Sequence, residues 1–149
     1  MRVVVQRSGL STVSVDNKVV GKIASGLVLL VGFKTDDTTK DIDYMVKKVL
    51  NLRIFPDEAG VMNKSILDYG GDILSISQFT LYGNTKNGNR PSYIMAAKPD
   101  VARVMYDEFN TKLKEYVKVA TGIFQTDMEV EITNIGPTTI IIDSDIKKE

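Results

Sequence analysis

The run GLVLLVGF, residues Gly26–Phe33, decides the fold. Apolar residues follow one another with hardly a polar break, so neither face of this segment suits water. Its length and its Val and Leu content favour a buried strand over a helix. Such a strand must be central, with cover on both faces. The rest of the chain has to supply its neighbours and that cover.

Upstream, MRVVVQ, STVSV and KVVGKIA are rich in Val and Ile and read as three further strands. Asp16-Asn17 fits a hairpin turn between the second and third, and Gly26 marks the break before the fourth. Downstream, Ile42, Met45, Val46, Val49 and Leu50 fall on one helical face. Thr35, Asp36 or Asp37 is expected to cap that helix, and acidic residues crowd its first turn. LRIF then reads as a short strand closed by the turn signal PDEAG. DILSISQFTLYG reads as another strand, and NTKNGNRPSYIMAAK as a loop. A second helix is expected to start near Pro99, which suits a first turn. Its apolar face would carry Val101, Val104, Met105, Phe109, Leu113, Tyr116 and Val117. In DMEVEIT, apolar and acidic residues alternate, as in a strand with one buried and one wet face. TTIIID follows Gly136-Pro137, a dipeptide that ordinarily marks a β-turn. The pattern predicts an α+β domain spanning residues 1–149, with largely antiparallel sheets in a barrel-like arrangement and two main helices.

Composition narrows the chemistry. The chain has 149 residues, 43% hydrophobic and 26% charged, in the range of a globular domain with a real core. No apolar run is long enough to cross a bilayer, and MRVVVQRSGL lacks the apolar core of a secretory signal, so the cytoplasm is the expected location. Cys and His are both absent. That removes thiolate nucleophiles, imidazole bases, Ser-His-Asp triads and His- or Cys-ligated metals. The acidic residues have no spacing that reads as a metal site, and no phosphate-binding glycine loop occurs. Nineteen basic and 19 acidic side chains cancel, which argues against nucleic-acid binding through bulk charge. The distribution is less even. Between Asp72 and Asp100 there is no acidic residue, while Lys86, Arg90 and Lys98 lie there, either as a solvated basic loop or as a local anion site.

Two short motifs stand out. Strand alternation across SISQFTLYG would put Ile76, Gln78 and Thr80 on one face, with Ser77 and Phe79 on the other. Polar groups then appear on both faces where the apolar run stops, as at a strand entering solvent or lining a pocket. Gly136-Pro137 is either a plain turn or a cis peptide that fixes two carbonyls.

Together, SQFTLYG (Ser77–Gly83) and NIGPTT (Asn134–Thr139) resemble the paired signatures of the D-aminoacyl-tRNA deacylases, or D-tyrosyl-tRNA(Tyr) deacylases. MRVVVQRS, GLVLLVG, VLNLRIF, NGNRPSY and TGIFQTDMEVEITNIGPTT are similar to that family too, in the same order along nearly the whole chain. The resemblance implies a homodimeric hydrolase with shared active sites. It would cleave the ester joining a D-amino acid, or mischarged glycine, to the 3′-terminal adenosine of tRNA, and reject L-aminoacyl-tRNA. It implies a catalytic pocket at Ser77, Gln78, Phe79 and Thr80. It also implies a chirality filter at a cis Gly136-Pro137, inserted from the partner subunit and supported by Arg7. Lys86, Arg90 and Lys98 are expected to contact the tRNA acceptor end. No cofactor, metal or membrane is called for. SYIMAAKPD is bulkier than the small-residue run usual in the family.

Such a hydrolase, lacking His and Cys, needs a substrate that is already reactive, and aminoacyl esters are. The resemblance implies catalysis through backbone groups and the substrate's vicinal 2′-OH, and backbone donors near Phe79 and Thr80 would suit that role, with the protein supplying positioning and oxyanion stabilisation. A nucleophilic Thr80 would have no imidazole to activate it. The alternatives are a related deacylase with a trans Gly-Pro acting on glycyl- or L-alanyl-mischarged tRNA, a noncatalytic tRNA-binding module, or a purely structural dimer.

Overall fold

The computed structural model describes residues 1–145. The last four residues of the expected domain, 146–149, lie outside the described residues. Four strands open the chain: β1 (Arg2–Ser8), β2 (Ser11–Val15), β3 (Lys18–Ile23) and β4 (Gly26–Gly32). Helix α1 (Thr39–Asn51) follows, then the short strands β5 (Phe55–Pro56) and β6 (Met62–Lys64) and the single turn α2 (Ile66–Tyr69). After β7 (Asp72–Ser77) come a 3-10 turn (Phe79–Tyr82) and α3 (Pro99–Lys114). β8 (Val119–Thr121), β9 (Glu129–Glu131) and β10 (Asn134–Asp143) complete the described chain.

β4 is central, as its apolar run requires. The main sheet has the order β10-β1-β4-β7-β8, with β1 antiparallel to β4 and β7 parallel to it. One face of this sheet meets the helices: Val3, Val5, Leu27, Leu29 and Val31 pack with Ile42, Met45 and Val49 of α1 and Phe109 and Leu113 of α3. On the other face, Val28, Leu74 and Ile76 pack with Val13 and Ile23 of a second antiparallel sheet, β3-β2-β9. Helices on one side and strands on the other therefore take both faces of β4 out of water. The arrangement is α+β with two main helices, and the sheets stay open at their edges without closing a barrel.

Several local expectations change. Asp16 and Asn17 do form the hairpin turn, both with positive φ (49° and 64°). The cap of α1 is Thr38, downstream of the expected Thr35, Asp36 and Asp37. Its side chain accepts from the helix backbone, while Asp41 bonds back to the Thr38 N–H at 2.9 Å in a capping box. α3 starts at Pro99 as expected, but its buried stripe is Ala102, Met105, Tyr106, Phe109 and Leu113. Val101, Val104 and Tyr116 are exposed. The stripe includes Tyr106 because its hydroxyl has a partner inside, donating to Ser75 O at 2.7 Å. Of LRIF, only Phe55 enters a strand. Gly136-Pro137 does not turn between two paired strands: it lies within β10, while β9 belongs to the other sheet. Among the described residues, no helix is long and apolar enough to cross a membrane.

Candidate active site

The C-terminal end of β7 is where regular structure gives way to a cavity. The ladder continues through Gln78, whose N–H donates to Val31 O at 2.7 Å. The chain then tightens into the 3-10 turn, with Leu81 N–H donating to Gln78 O (3.2 Å) and Gly83 N–H to Thr80 O (2.9 Å). Strand alternation thus ends at Ser77 and does not place Gln78 and Thr80 on one face. They meet instead through a local side-chain bond, Gln78 Nε2 donating to Thr80 Oγ1. Gly32 of β4 makes room for this turn, because a Cβ there would stand 3.1 Å from Gln78 O and 3.2 Å from Leu81 Cβ. The N–H groups of Phe79 and Thr80 precede the first internal bond of the turn, the position where helical donors have no intrahelical acceptor.

A cavity of about 550 Å³ opens beside this turn. Ile76, Ser77, Gln78 and Phe79 form one wall. Tyr93, Ala96 and Ala97 of the loop before α3 form a second, continued by Lys98 and Pro99 at the helix start. Phe124–Asp127, with Met128 and Val130, close the third. Gln125 in that last segment has a positive φ of 60°, uncommon for a residue with a side chain. Phe79 is 55% exposed and meets Tyr93 edge to face, with ring centroids 5.1 Å apart. A mostly apolar lining with a few polar groups suits a small organic ligand. Lys98 and Asp127 are the charged side chains of the wall among the described residues. Thr80 is exposed and does not contribute to the wall.

Gly136-Pro137 lies elsewhere. β1 pairs with β10 at Ser8–Asn134 and resumes at Gln6–Thr139, so Arg7 alone faces the four residues Ile135–Thr138. These residues bulge out of the sheet edge, and both Gly136 and Pro137 are exposed. The Gly136-Pro137 peptide is cis and Gly136 has φ +122°. Arg7 braces the bulge from below: Nε donates to Ile135 O (3.3 Å) and Nη1 to Ile54 O (2.7 Å). Asn134 closes it, accepting from Thr138 N–H at 3.2 Å and donating to Thr139 Oγ1 at 3.0 Å.

Register fixes the distance between the two motifs. Ser77 pairs with Val31 and Val31 with Val3, four residues along β1 from Arg7. Three strand steps separate β10 from β7. At about 3.3 Å per residue and about 4.8 Å per strand, the bulge stands roughly 19 Å from the cavity of its own chain.

The three expected basic contacts are not brought together. Lys98 is in the cavity wall, Lys86 lines a separate hollow with Arg2, Lys34 and Tyr82, and Arg90 is exposed in the loop between. Residues that motif reasoning passed over are Tyr93, Ala96, Ala97, Phe124 and Asp127. Tyr93 ends the family-like stretch NGNRPSY, and Phe124 and Asp127 lie in TGIFQTDMEVEITNIGPTT, whereas Ala96 and Ala97 belong to SYIMAAKPD, the run bulkier than usual in the family; the unusual φ of Gln125 is not legible in residue type. Flanking the site, burial pushes the Tyr106 hydroxyl above its ordinary pKa. Tyr82 is pushed up by burial and then by the Asp37 and Asp143 charges.

The chain is similar to known proteins along nearly its whole length. The family model described as D-Tyr-tRNA(Tyr) deacylase matches residues 4–143. A "D-aminoacyl-tRNA deacylase" of Kosmotoga olearia is 53% identical over 144 residues, 97% of each chain. A solved structure titled "c-Myc DNA Unwinding Element Binding Protein" superposes with TM-score 0.91 at 36% identity, covering 96% of this chain and 98% of that one. A second, titled as a probable eukaryotic D-amino acid tRNA deacylase, superposes with TM-score 0.81 at 20% identity (95% and 97% coverage) and shares the fold.

Proposed function

The chain belongs to the D-Tyr-tRNA(Tyr) deacylase family, and on that premise we propose that the cavity at the end of β7 holds the 3′-terminal aminoacyl-adenosine of tRNA. The protein is a D-aminoacyl-tRNA deacylase, an ester hydrolase. Water adds to the ester carbonyl, the C–O bond to the terminal ribose breaks, and free D-amino acid and tRNA leave. Glycine on a mischarged tRNA is accepted for the same reason as a D-residue: it presents no L side chain.

Ser77, Gln78, Phe79 and Thr80 form the catalytic segment. The Phe79 and Thr80 N–H groups receive the charge that develops on the carbonyl oxygen. The vicinal 2′-OH of the substrate assists the attack, since this chain contributes no imidazole or thiolate. The apolar walls hold the adenosine, with Phe79 and Tyr93 at the rim. Lys98 stands where a terminal phosphate would pass, and Lys86 and Arg90 meet the acceptor end farther out.

Gly136-Pro137 is the chirality filter of a second subunit's cavity, and the enzyme works as a homodimer with shared sites. The observation that carries this reading is the separation of roughly 19 Å between bulge and cavity within one chain. A rigid, braced, exposed backbone bulge has no work at its own sheet edge. Inserted into a partner's cavity, its carbonyls would meet an L side chain by clash and leave a D-substrate's amino group room. Specificity by exclusion leaves the D side chain free to vary.

The test is to follow ester loss from D-tyrosyl-tRNA and L-tyrosyl-tRNA, for wild type and for a variant at Gly136. Wild type is expected to clear the D-ester and spare the L-ester. Equal rates on both esters would overturn the filter.

A further inference from the structure

We propose that Lys47, Lys48 and Arg53 form a phosphate-binding patch that grips the acceptor-end backbone of the tRNA whose terminal adenosine sits in the partner subunit's cavity. This rests on the reading of Gly136-Pro137 as a filter acting across the dimer.

A groove of about 380 Å³ runs along the last turn of α1 and the segment after it. Its lining is Tyr44, Lys47, Lys48, Asn51, Leu52 and Arg53, with three cations and no carboxylate. Lys47, Lys48 and Arg53 are all exposed. Of the nearby acids, Asp43 pairs with Lys112 and Glu58 with Lys64, while Asp57 accepts from the Ala59 and Val61 N–H groups and from Asn63 Nδ2, behind the Arg53–Asn63 contact. Lys48 Nζ lies 5.8 Å from the Tyr44 ring centroid, so an aromatic face lies next to a cation. Arg53 is held by donating Nε to Asn63 O at 3.0 Å and one Nη to Asn63 Oδ1, which fixes the plane of its guanidinium. A fixed guanidinium and two exposed ammonium groups lining one groove, over an apolar floor, make a surface for a phosphodiester chain.

What singles out this patch is its mechanical link to the filter. Arg7 touches the bulge and the residue next to the patch: Nε reaches Ile135 O inside the bulge, and Nη1 reaches Ile54 O, the residue after Arg53. The patch begins roughly 10 Å from Gly136, and Lys47 and Lys48 on the last turns of α1 extend it. At about 3.4 Å per phosphate along a duplex strand, that spans a few nucleotides. A tRNA whose last nucleotide lies between cavity and filter passes both subunits, with Lys98 of the cavity's own chain on one side and this groove of the filter's chain on the other.

The experiment compares Lys47→Gln/Lys48→Gln/Arg53→Gln with wild type on two substrates, D-tyrosyl-tRNA and a D-tyrosyl-CCA trinucleotide, across a salt series. The variant is expected to raise KM for the full tRNA by about tenfold or more and to flatten the salt slope by about two to three units, one phosphate per cation. Its kcat, and all kinetics on the trinucleotide, should stay at wild-type values. A control that removes two positive charges elsewhere, Lys18→Gln/Lys22→Gln on β3, should leave KM alone. Unchanged KM and salt slope on tRNA would overturn the patch, as would an equal loss on the trinucleotide, which would mean the filter had moved. Subunit assignment is read from mixed dimers of the triple variant with Ala96→Trp, which fills its own cavity. The open cavity is then served by the other chain's intact patch, so KM should return to wild type. A raised KM would overturn the cross-subunit placement. Filter failure has a separate signature: a wild-type enzyme that treats D- and L-esters alike, whatever the patch variant does.

Discussion

Pro137 on β10 and Ser77 at the end of β7 stand in one sheet, three strand steps and about four residues apart. If both serve one active site, two chains must build it. Ala96→Trp fills the cavity, and Gly136→Ala damages the bulge. Each homodimer should be nearly inactive on D-tyrosyl-tRNA. A mixed dimer contains one site with both defects and one with neither, so mixing and refolding should restore about half the activity of each such dimer. Activity that never rises above the parents would place both functions in one chain.

Gly136→Ala is itself a sharp test. At φ +122° an L side chain is strained. The added Cβ would stand 2.5 Å from Thr138 Oγ1 and 3.0 Å from Arg7 Nη2. Gly136 is exposed, so the fold should survive with little change in Tm. The bulge must shift by an ångström or so, and misplacement of that size costs on the order of 10²-fold in rate. D-ester kcat/KM should fall by that factor in a folded protein. A rate within twofold of wild type would mean the bulge takes no part in the chemistry.

Arg7→Lys asks whether the brace needs a fork or only a charge. One guanidinium spans Ile135 O and Ile54 O, and a single ammonium cannot reach both in that geometry. Discrimination between D- and L-esters is expected to narrow by roughly tenfold, about 1.4 kcal/mol, with Arg7→Ala narrowing it further. Measured D/L ratios that stay at the wild-type value in both variants would detach Arg7 from the filter.

Thr80→Ala separates side-chain from backbone catalysis. Thr80 is exposed, outside the cavity wall, and bonded to Gln78 Nε2. Removing a true nucleophile typically costs 10³-fold or more, while removing a supporting hydroxyl costs about 1 kcal/mol. Single-turnover rates are expected within about tenfold of wild type. A loss beyond 10³-fold in a folded dimer would restore the hydroxyl as nucleophile.

The sequence made the sheet legible where burial dictated residue type, and less so where bonds beyond the local pattern decided. Gly26–Phe33 read as a central strand because a continuous apolar run has no other home. The α3 stripe was misjudged because Tyr106 is buried through a hydroxyl bond to Ser75 O, a partner distant in sequence. SQFTLYG looked like strand because alternation continues past Ser77, whereas Gly32 on β4 lets the chain wind into a 3-10 turn. The site motifs were visible through family resemblance, but the cavity wall at Phe124–Asp127 depends on the Gln125 backbone, which residue type does not announce.

Tyr82 supplies a pH prediction independent of catalysis. Its ring lies under Arg2, 4.8 Å from the guanidinium carbon, and its buried hydroxyl has no hydrogen-bond partner among the described residues. Burial raises its pKa above the ordinary 10.0, and Asp37 and Asp143 add to the rise, so the folded chain holds the neutral phenol more tightly than the unfolded chain does. Its contribution to stability is therefore complete below pH 10 and is lost as pH rises above that value. Lys34, raised by its bond to Asp145, and Tyr106, raised by burial, lose stability in the same direction. Tyr82→Phe keeps the ring under Arg2 and removes only the hydroxyl. At pH 7.5 it should be neutral or stabilising by up to ~1 kcal/mol, since a buried unsatisfied group is removed. Between pH 9 and 11 the variant should lose less stability than wild type, by a margin that widens with pH. Urea unfolding at both ends of that range measures it, and parallel pH slopes for the two proteins would mean the Tyr82 hydroxyl is reached by water.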